Sequence, residues 1–310
     1  MVVVDSFAAG VVLHELRFDW LRGVRLAVLR LDLVDPELSG NKWFKLSHHL
    51  AAAHAAQAPG LISLGGAHSN HLHALAAAGQ RFGLATVGLL RGTEQDTPTV
   101  RDLQRFGMRL HWLGYGGYRA RHQPQFWDAW RALYPNYHCV PEGGGGLAGA
   151  LGCVTLVAQI RARLGEIGWD DYEALWLAVG TGTTLAGLVI GEAGNHPVIG
   201  ALAGPPAHAV PDNVRRLLDE AGRADAGYRL VDASRGGFGR FDGELARFIL
   251  QAERDSGLPL DPVYTAKALL ALRTRIEAGE WGAGSRLVFV HTGGLQGRRA
   301  AEEQLLRLRC

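Results

Sequence analysis

Cysteine is scarce in this chain. Its 310 residues include three, Cys139, Cys153 and Cys310, and no two of them have metal-type spacing. That scarcity excludes a disulfide scaffold and a cysteine-built zinc site, and it suits a reducing cytosol, so a cytoplasmic location is expected. An excess of charge of one sign is also missing. The 32 Lys and Arg set against 30 Asp and Glu leave a net charge of +2. The arginines are scattered without a basic tract, which removes the electrostatic case for nucleic acid or a membrane surface. No uninterrupted apolar run reaches the ~18 residues of a membrane-crossing helix, so no spanning segment is expected. The first residues, MVVVDSFAAGVVLHELRFDWLRG, open apolar but carry Asp5 and no cationic stretch, unlike a secretory signal.

Glycine, by contrast, is abundant at 42 residues, with 47% apolar and 20% charged residues around it. Without collagen period or low complexity, such glycine points to many strand–helix turns or ligand loops. Short Leu- and Val-rich runs alternate with Ala/Leu-rich helical stretches along the chain. Strands are expected at 24–33, 60–66, 84–92, near 109–113, in 136–146 where the strand runs into a Gly loop, at the start of 174–194, and at 197–203, 228–232 and 286–294. Helices are expected at 42–57, 70–83, near 97–107, at 147–165, at the end of 174–194, and at 211–222, 243–256, 265–279 and 295–308. Repeated βα units imply an α/β fold with mainly parallel sheets and helices on both faces. Active groups of such sheets gather at the carboxyl ends of the strands.

Three loops there carry candidate chemistry. In SGNKWFKL (39–46), Gly40 permits a sharp turn and Asn41 is a fair N-cap, which puts Lys42 in the first helical turn. A cation at that end opposes the helix dipole, so Lys42 is a candidate amine nucleophile, with a solvated face as the plain alternative. Lys45, one turn on, takes the plain reading. In SLGGAHSNHLHALA (63–76), Ser69 is either an N-cap or part of an anion site with the helix amides. His68, His71 and His73 suggest a metal, but 71 and 73 do not share a helix face and no acidic partner is near, so no metal site is expected. In AVGTGTTLAG (178–187), Gly180, Thr181, Gly182, Thr183 and Thr184 form either a tight βα turn or a phosphate cradle at a helix start. The loop is not a Walker motif, because Gly-Lys-Ser/Thr is missing. Leu185 stands where a dinucleotide fingerprint needs its third glycine, and residues 195–203 offer no ribose-binding acid, which counts against a nucleotide-cofactor oxidoreductase. A cradle, an amine and no Walker signature together suggest pyridoxal phosphate, with Lys42 as the lysine that carries it.

With these motifs the chain resembles the 1-aminocyclopropane-1-carboxylate deaminase / D-cysteine desulfhydrase family. SGNKWFKL, SLGGAHSNH, AVGTGTTLAG, LDPVYTAKA (260–268) and FVHTGG (289–294) occur in the family's order. The resemblance implies the tryptophan-synthase-β-like fold, two open, twisted, mainly parallel sheets with helices on both faces. It implies a large cofactor-binding domain from 1–45 plus 154–310, a small domain from 46–153, and a homodimer. The Gly143–Gly146 run is a plausible hinge or a surface turn.

Carried onto this sequence, the resemblance makes Lys42 the cofactor lysine and Ser69 a catalytic serine near the substrate. Asn70 would bond the cofactor's phenolic oxygen, and the His71 amide would face the substrate carboxylate. Gly180 to Thr184 would hold the phosphate. Tyr264 would be the active-site tyrosine and a candidate acid, and Thr292 would lie beside the pyridine nitrogen. Cyclopropane-opening members typically carry glutamate after the tyrosine, in DPVYEGK, where this chain has Thr265. A hydroxyl cannot hold the extra proton as a carboxylate does, so Thr265, placed at the substrate, tilts the reading towards β-elimination on a small amino acid such as D-cysteine. The alternative is ring opening of 1-aminocyclopropane-1-carboxylate. Glutamine in many members replaces His68 and His71, which points to a different substrate pocket.

Overall fold

The computed structural model describes residues 10–205 and 209–307. Asp5 and Cys310 lie outside the described residues. The strands are β1 Val12–Leu16, β2 Arg25–Arg30, β3 Gly60–Gly65, β4 Ala85–Leu90, β5 Arg109–Trp112, β6 His138–Cys139, β7 Ala174–Val179, β8 Val198–Leu202, β9 Tyr228–Asp232 and β10 Arg286–His291. They sort into a six-stranded sheet of order β1-β2-β10-β7-β8-β9 and a four-stranded sheet of order β5-β4-β3-β6. All pairs are parallel except the edge pair of β1 and β2. The central strands are buried along their full length, ALWLAV in β7 and VIGAL in β8 among them. That is why they read as continuous apolar runs rather than alternating ones.

The helices are α1 Asn41–Ala55, α2 Asn70–Phe82, α3 Pro98–Arg105, α4 Gly114–Arg119, α5 Phe126–Leu133, α6 Gly146–Arg163, α7 Thr183–Glu192, α8 Val210–Glu220, α9 Gly243–Ser256, α10 Thr265–Glu277, α11 Leu295–Arg298 and α12 Glu302–Arg307. The single helix expected at 295–308 is split by a 3-10 turn at Arg299–Ala301. The short β1, α4 and α5 are additions to the expected elements. The chain leaves the six-stranded sheet after β2, builds the four-stranded one, and returns at β7. The expected limits at 45/46 and 153/154 fall inside α1 and α6. These two helices cross at Gly152, where any Cβ would run into the Phe44 carbonyl and lie 2.9 Å from Ser47 Oγ.

Helix α6, with the 3-10 turn that extends it to Ile167, bears on the expectation that no segment spans a membrane. By length and composition it is apolar enough to cross one. In the fold it is a packing helix. Gly149, Ala150, Gly152 and Cys153 are buried, and a Cβ on Gly187 of α7 would come within 2.6 Å of Cys153 Cβ. Its small apolar residues let α1 and α7 approach closely.

Candidate active site

Helix α1 begins under strand β10. Gly40, at φ +74°, lies so close to the Thr292 carbonyl that no side chain fits there. Asn41 N donates to the same carbonyl at 3.1 Å. This changes the reading of Asn41: Gly40 occupies the N-cap position and Asn41 is the first helical residue. Its freed amide side chain makes two other bonds. Nδ2 donates to Thr184 Oγ1 at 2.8 Å, and Oδ1 accepts from Lys42 Nζ at 2.8 Å. Burial lowers the Lys42 pKa from 10.5 to about 7, and the charge of Lys45 adds to the effect while Asp261 opposes it. An amine so tuned is substantially neutral at neutral pH.

Lys45 is not a solvated residue. It is 4% exposed, and burial lowers its pKa to about 8. Spacing of three residues puts it on the same helix face as Lys42. Its Nζ donates to Gly143 O at 3.2 Å. Gly143 to Gly146 form a loop packed into the site rather than a surface turn: Gly144 and Gly145 are buried, and a Cβ on Gly143 would lie 3.0 Å from the Thr181 methyl. His49 donates through Nε2 to Gly145 O at 3.0 Å, tying α1 to the loop a second time.

The Gly180–Thr184 loop opens α7 at the carboxyl end of β7. Gly182, at φ +86°, is the N-cap, and a Cβ there would lie 2.6 Å from Val214 Cγ2. Thr183 and Thr184 are buried. Thr181 and Thr183 hydroxyls pair at 3.1 Å, and Asn213 Nδ2 donates to Thr181 O at 2.6 Å. Helix α7 thus presents free amides in a loop held from both sides.

Ser69 is the N-cap of α2, accepting from Leu72 N at 3.1 Å. The Asn70 side chain lies against the segment after β10. A Cβ on Gly294 would sit 3.1 Å from Asn70 Nδ2, and one on Gly297 2.9 Å from its Oδ1. Asn70 Oδ1 is buried without a hydrogen-bond partner. His71 is 2% exposed. Ser63 gives its one hydroxyl proton to Val140 O at 2.8 Å, so it accepts from His71 Nε2, also at 2.8 Å. That fixes the proton on Nε2 and leaves Nδ1 a buried, unpartnered acceptor. Burial holds the His71 pKa well below 6.5, with Lys42 and Lys45 adding. His68 is exposed and His73 pairs with Asp102 at 3.1 Å. The histidines diverge, and no metal-binding cluster is present among the described residues.

Tyr264 precedes α10 and packs on Gly180, where a Cβ would lie 3.1 Å from its Cε1. Burial, followed by the charge of Asp261, raises its pKa, so the phenol keeps its proton. Thr265 differs from expectation. It is fully buried, and its hydroxyl donates to Asp261 Oδ1 at 2.7 Å while accepting from Asp261 N at 2.9 Å. Its one proton is committed to Asp261, four residues before it at the helix start, so the hydroxyl has none to give a substrate. Asp261, which sequence reasoning passed over, also accepts from the amides of Val263, Tyr264 and Thr265. A Cβ on Gly294 would lie 3.3 Å from its Cγ.

These contacts close a ring. Asn70 and Asp261 both meet Gly294, Gly293 and Thr292 meet Gly40, Asn41 meets Thr184, and Gly180 meets Tyr264. Lys42, Ser69, Asn70, the Gly180–Thr184 loop, Tyr264 and Thr292 are therefore brought together at the ends of β3, β7 and β10. Thr265 reaches the ring through Asp261. Lys45, Asp261, the Gly143–Gly146 loop and the His71 side chain are the additions. The spacing of Lys45 from Lys42 was the signal that could have found it.

The ring fits a phosphorylated aromatic aldehyde. It holds a neutral amine, a buried cation bonded to a carbonyl, a helix start with free amides, and an orphaned amide oxygen. The description "pyridoxal-phosphate dependent enzyme" belongs to the family model that matches residues 13–293. The mitochondrial bifunctional D-cysteine desulfhydrase/1-aminocyclopropane-1-carboxylate deaminase of Arabidopsis thaliana is 28% identical, covering 92% of this chain and 76% of that protein. A 1-aminocyclopropane-1-carboxylate deaminase of Bradyrhizobium sp. is 27% identical, with 83% and 82% covered. The solved structure of an ACC deaminase homologue superposes with a TM-score of 0.85 at 27% identity, covering 96% of this chain and 94% of that one. The fold is therefore that of two mainly parallel sheets shared with this homologue. The chain belongs to the family of pyridoxal-phosphate-dependent enzymes, and pyridoxal 5'-phosphate is its cofactor.

Proposed function

We propose that the chain is a lyase of the deaminase/desulfhydrase type that performs α,β-elimination on a small amino acid, D-cysteine first among them. The observation that carries this reading is the coexistence in one ring of Lys42, an amine with a pKa of about 7, and Tyr264, a phenol kept protonated. One can accept a proton while the other donates one. When bound, the cofactor supplies the electron sink for the charge left at the substrate α-carbon.

The remaining roles fall to the chain. Lys42 takes the α-proton. Tyr264 O–H delivers a proton to the departing sulfur. The Ser69 hydroxyl and the first amides of α2 hold the substrate carboxylate. Lys45 and the amides of Gly182 to Thr184 hold the phosphate, while Asn70 orients the ring's phenolic oxygen. One D-cysteine and one water give one pyruvate, one ammonia and one hydrogen sulfide. The Cα–H and Cβ–S bonds break, and water supplies the oxygen that replaces the amine, with no net oxidation.

A second reading is ring opening of 1-aminocyclopropane-1-carboxylate to 2-oxobutanoate and ammonia, and the names of the similar proteins support it equally. Thr265 weighs towards elimination, because a hydroxyl bound to Asp261 stands where ring-opening members carry a glutamate. The test is a comparison of kcat/KM for D-cysteine, L-cysteine, D-serine and 1-aminocyclopropane-1-carboxylate, with sulfide and 2-oxo acid both measured. Equimolar sulfide and pyruvate from D-cysteine as the best substrate supports elimination. Faster release of 2-oxobutanoate from the cyclopropane overturns it in favour of the second reading.

A further inference from the structure

Lys267 lies on α10 three residues beyond Tyr264 and is 1% exposed. A lysine buried so deeply is rare unless its charge is met. Its hydrogen bonds all go to backbone: Nζ donates to Ala203 O at 3.2 Å, Ser234 O at 2.8 Å and Gly237 O at 2.8 Å, while the carboxylates of Asp261, Asp242 and Asp232 act on its charge from further off. Three donors meet three carbonyls. Ala203 follows β8, and Ser234 and Gly237 follow β9, so the ammonium joins the ends of two neighbouring strands.

The turn that it holds continues into Phe238, whose ring stands edge-on to Tyr264 at 5.7 Å and 71°. Phe238 is 52% exposed, so little else fixes it from outside. Tyr264 in turn rests on Gly180. Three carbonyl oxygens gathered at one point carry like partial charges, and without a cation between them they repel. The ammonium therefore determines where the 234–238 turn sits, and the turn determines how Tyr264 is braced.

We propose that Lys267 is a positioning residue, a tethered cation whose three hydrogen bonds fix the Ser234–Phe238 turn against Tyr264. The proposal rests on the reading of Tyr264 as a group of the reaction. A corollary is that the three oxygens can accept a free monovalent cation once the side chain is shortened.

The test uses the holoenzyme with Lys267→Met, which keeps the stem and removes the charge, and with Lys267→Ala, which opens the cation's place. Whichever of D-cysteine and 1-aminocyclopropane-1-carboxylate the wild type turns over serves as substrate. In both variants kcat falls by about tenfold to a hundredfold, the range of a small misplacement, while KM and the visible absorbance of the bound cofactor hold. Amide hydrogen exchange over 233–240 speeds up. For Lys267→Ala, potassium chloride restores kcat and slows exchange, whereas choline chloride at the same ionic strength does not. Wild-type exchange over 233–240 in Lys267→Met overturns the tether, as does a loss in Lys267→Ala that is the same in both salts. Should Lys267→Ala not fold, Lys267→Met decides alone. Exchange is read without turnover, so faster exchange with unchanged kcat keeps the tether and overturns the role given to Tyr264.

Discussion

Residues Gly180–Thr184 and Ser69–His71 both open a helix at the carboxyl end of a parallel strand, and both were read from the sequence as anion sites. Inside the fold they differ. The threonines of the first loop find partners within the chain: Thr181 with Thr183, Thr184 with Asn41, and the Thr181 carbonyl with Asn213. In the second loop Ser69 caps its helix, but Asn70 Oδ1 and His71 Nδ1 are buried without partners. A buried polar atom left unpaired costs about 1–3 kcal/mol, and both of these atoms are acceptors that only a donor can satisfy. The hydroxyls of the first loop are satisfied inside the chain, whereas the second loop keeps two buried acceptors without partners.

Lys42 is the group that both loops surround, so its loss abolishes the distinction between them. Lys42→Ala is expected to lower turnover by about 10²–10⁴-fold, the range for a lost proton-transfer group. It also removes the visible absorbance that appears when the cofactor is added to the stripped protein. A variant that keeps both the band and the turnover takes Lys42 out of the chemistry and moves the site elsewhere.

A smaller effect separates the loops. Lys45→Met removes the buried cation beside the cradle, and the dissociation constant for pyridoxal phosphate rises by about tenfold to a hundredfold, as for a lost hydrogen bond to a charged group. At saturating cofactor the substrate KM stays near its wild-type value. Fluorescence titration of the cofactor and steady-state kinetics read the two quantities separately. A raised KM with unchanged cofactor affinity places Lys45 on the substrate side.

Ser69→Ala addresses the other loop. Loss of the N-cap lowers stability by about 0.5–2 kcal/mol, visible as a lower Tm. On the proposed reading the substrate KM rises severalfold while cofactor affinity holds. A lowered Tm with unchanged KM leaves Ser69 a cap and nothing more.

The βα rhythm and the helix-start position of Lys42 were legible because they depend on local pattern. What was misread depends on neighbours distant in sequence or on local geometry that pattern does not show. Asn41 looked like a cap, but the close pass of Gly40 under the Thr292 carbonyl moves the helix start by one residue. Lys45 looked solvated because most lysines are, yet tertiary packing that includes the Gly143–Gly146 loop buries it. Thr265 looked free to meet a ligand, yet Asp261, four residues earlier, takes its hydroxyl. Chemistry-bearing residue types were therefore easier to find than the partners that set their state.

The finest distinction concerns protons. Cofactor capture by the stripped protein requires the neutral amine of Lys42, since an ammonium has no lone pair with which to attack. Below its pKa of about 7 the amine is mostly protonated and capture is slow. Capture should therefore accelerate as pH rises through about 7 and then level off. An ordinary lysine would instead keep accelerating towards 10.5. Stopped-flow absorbance at a fixed cofactor concentration gives the profile. In Lys45→Met the inflection moves upward, because a like charge that disfavoured the Lys42 ammonium is gone. An inflection that stays in place in that variant makes burial alone responsible for the tuning of Lys42, and Lys45 then acts on the phosphate and not on the amine.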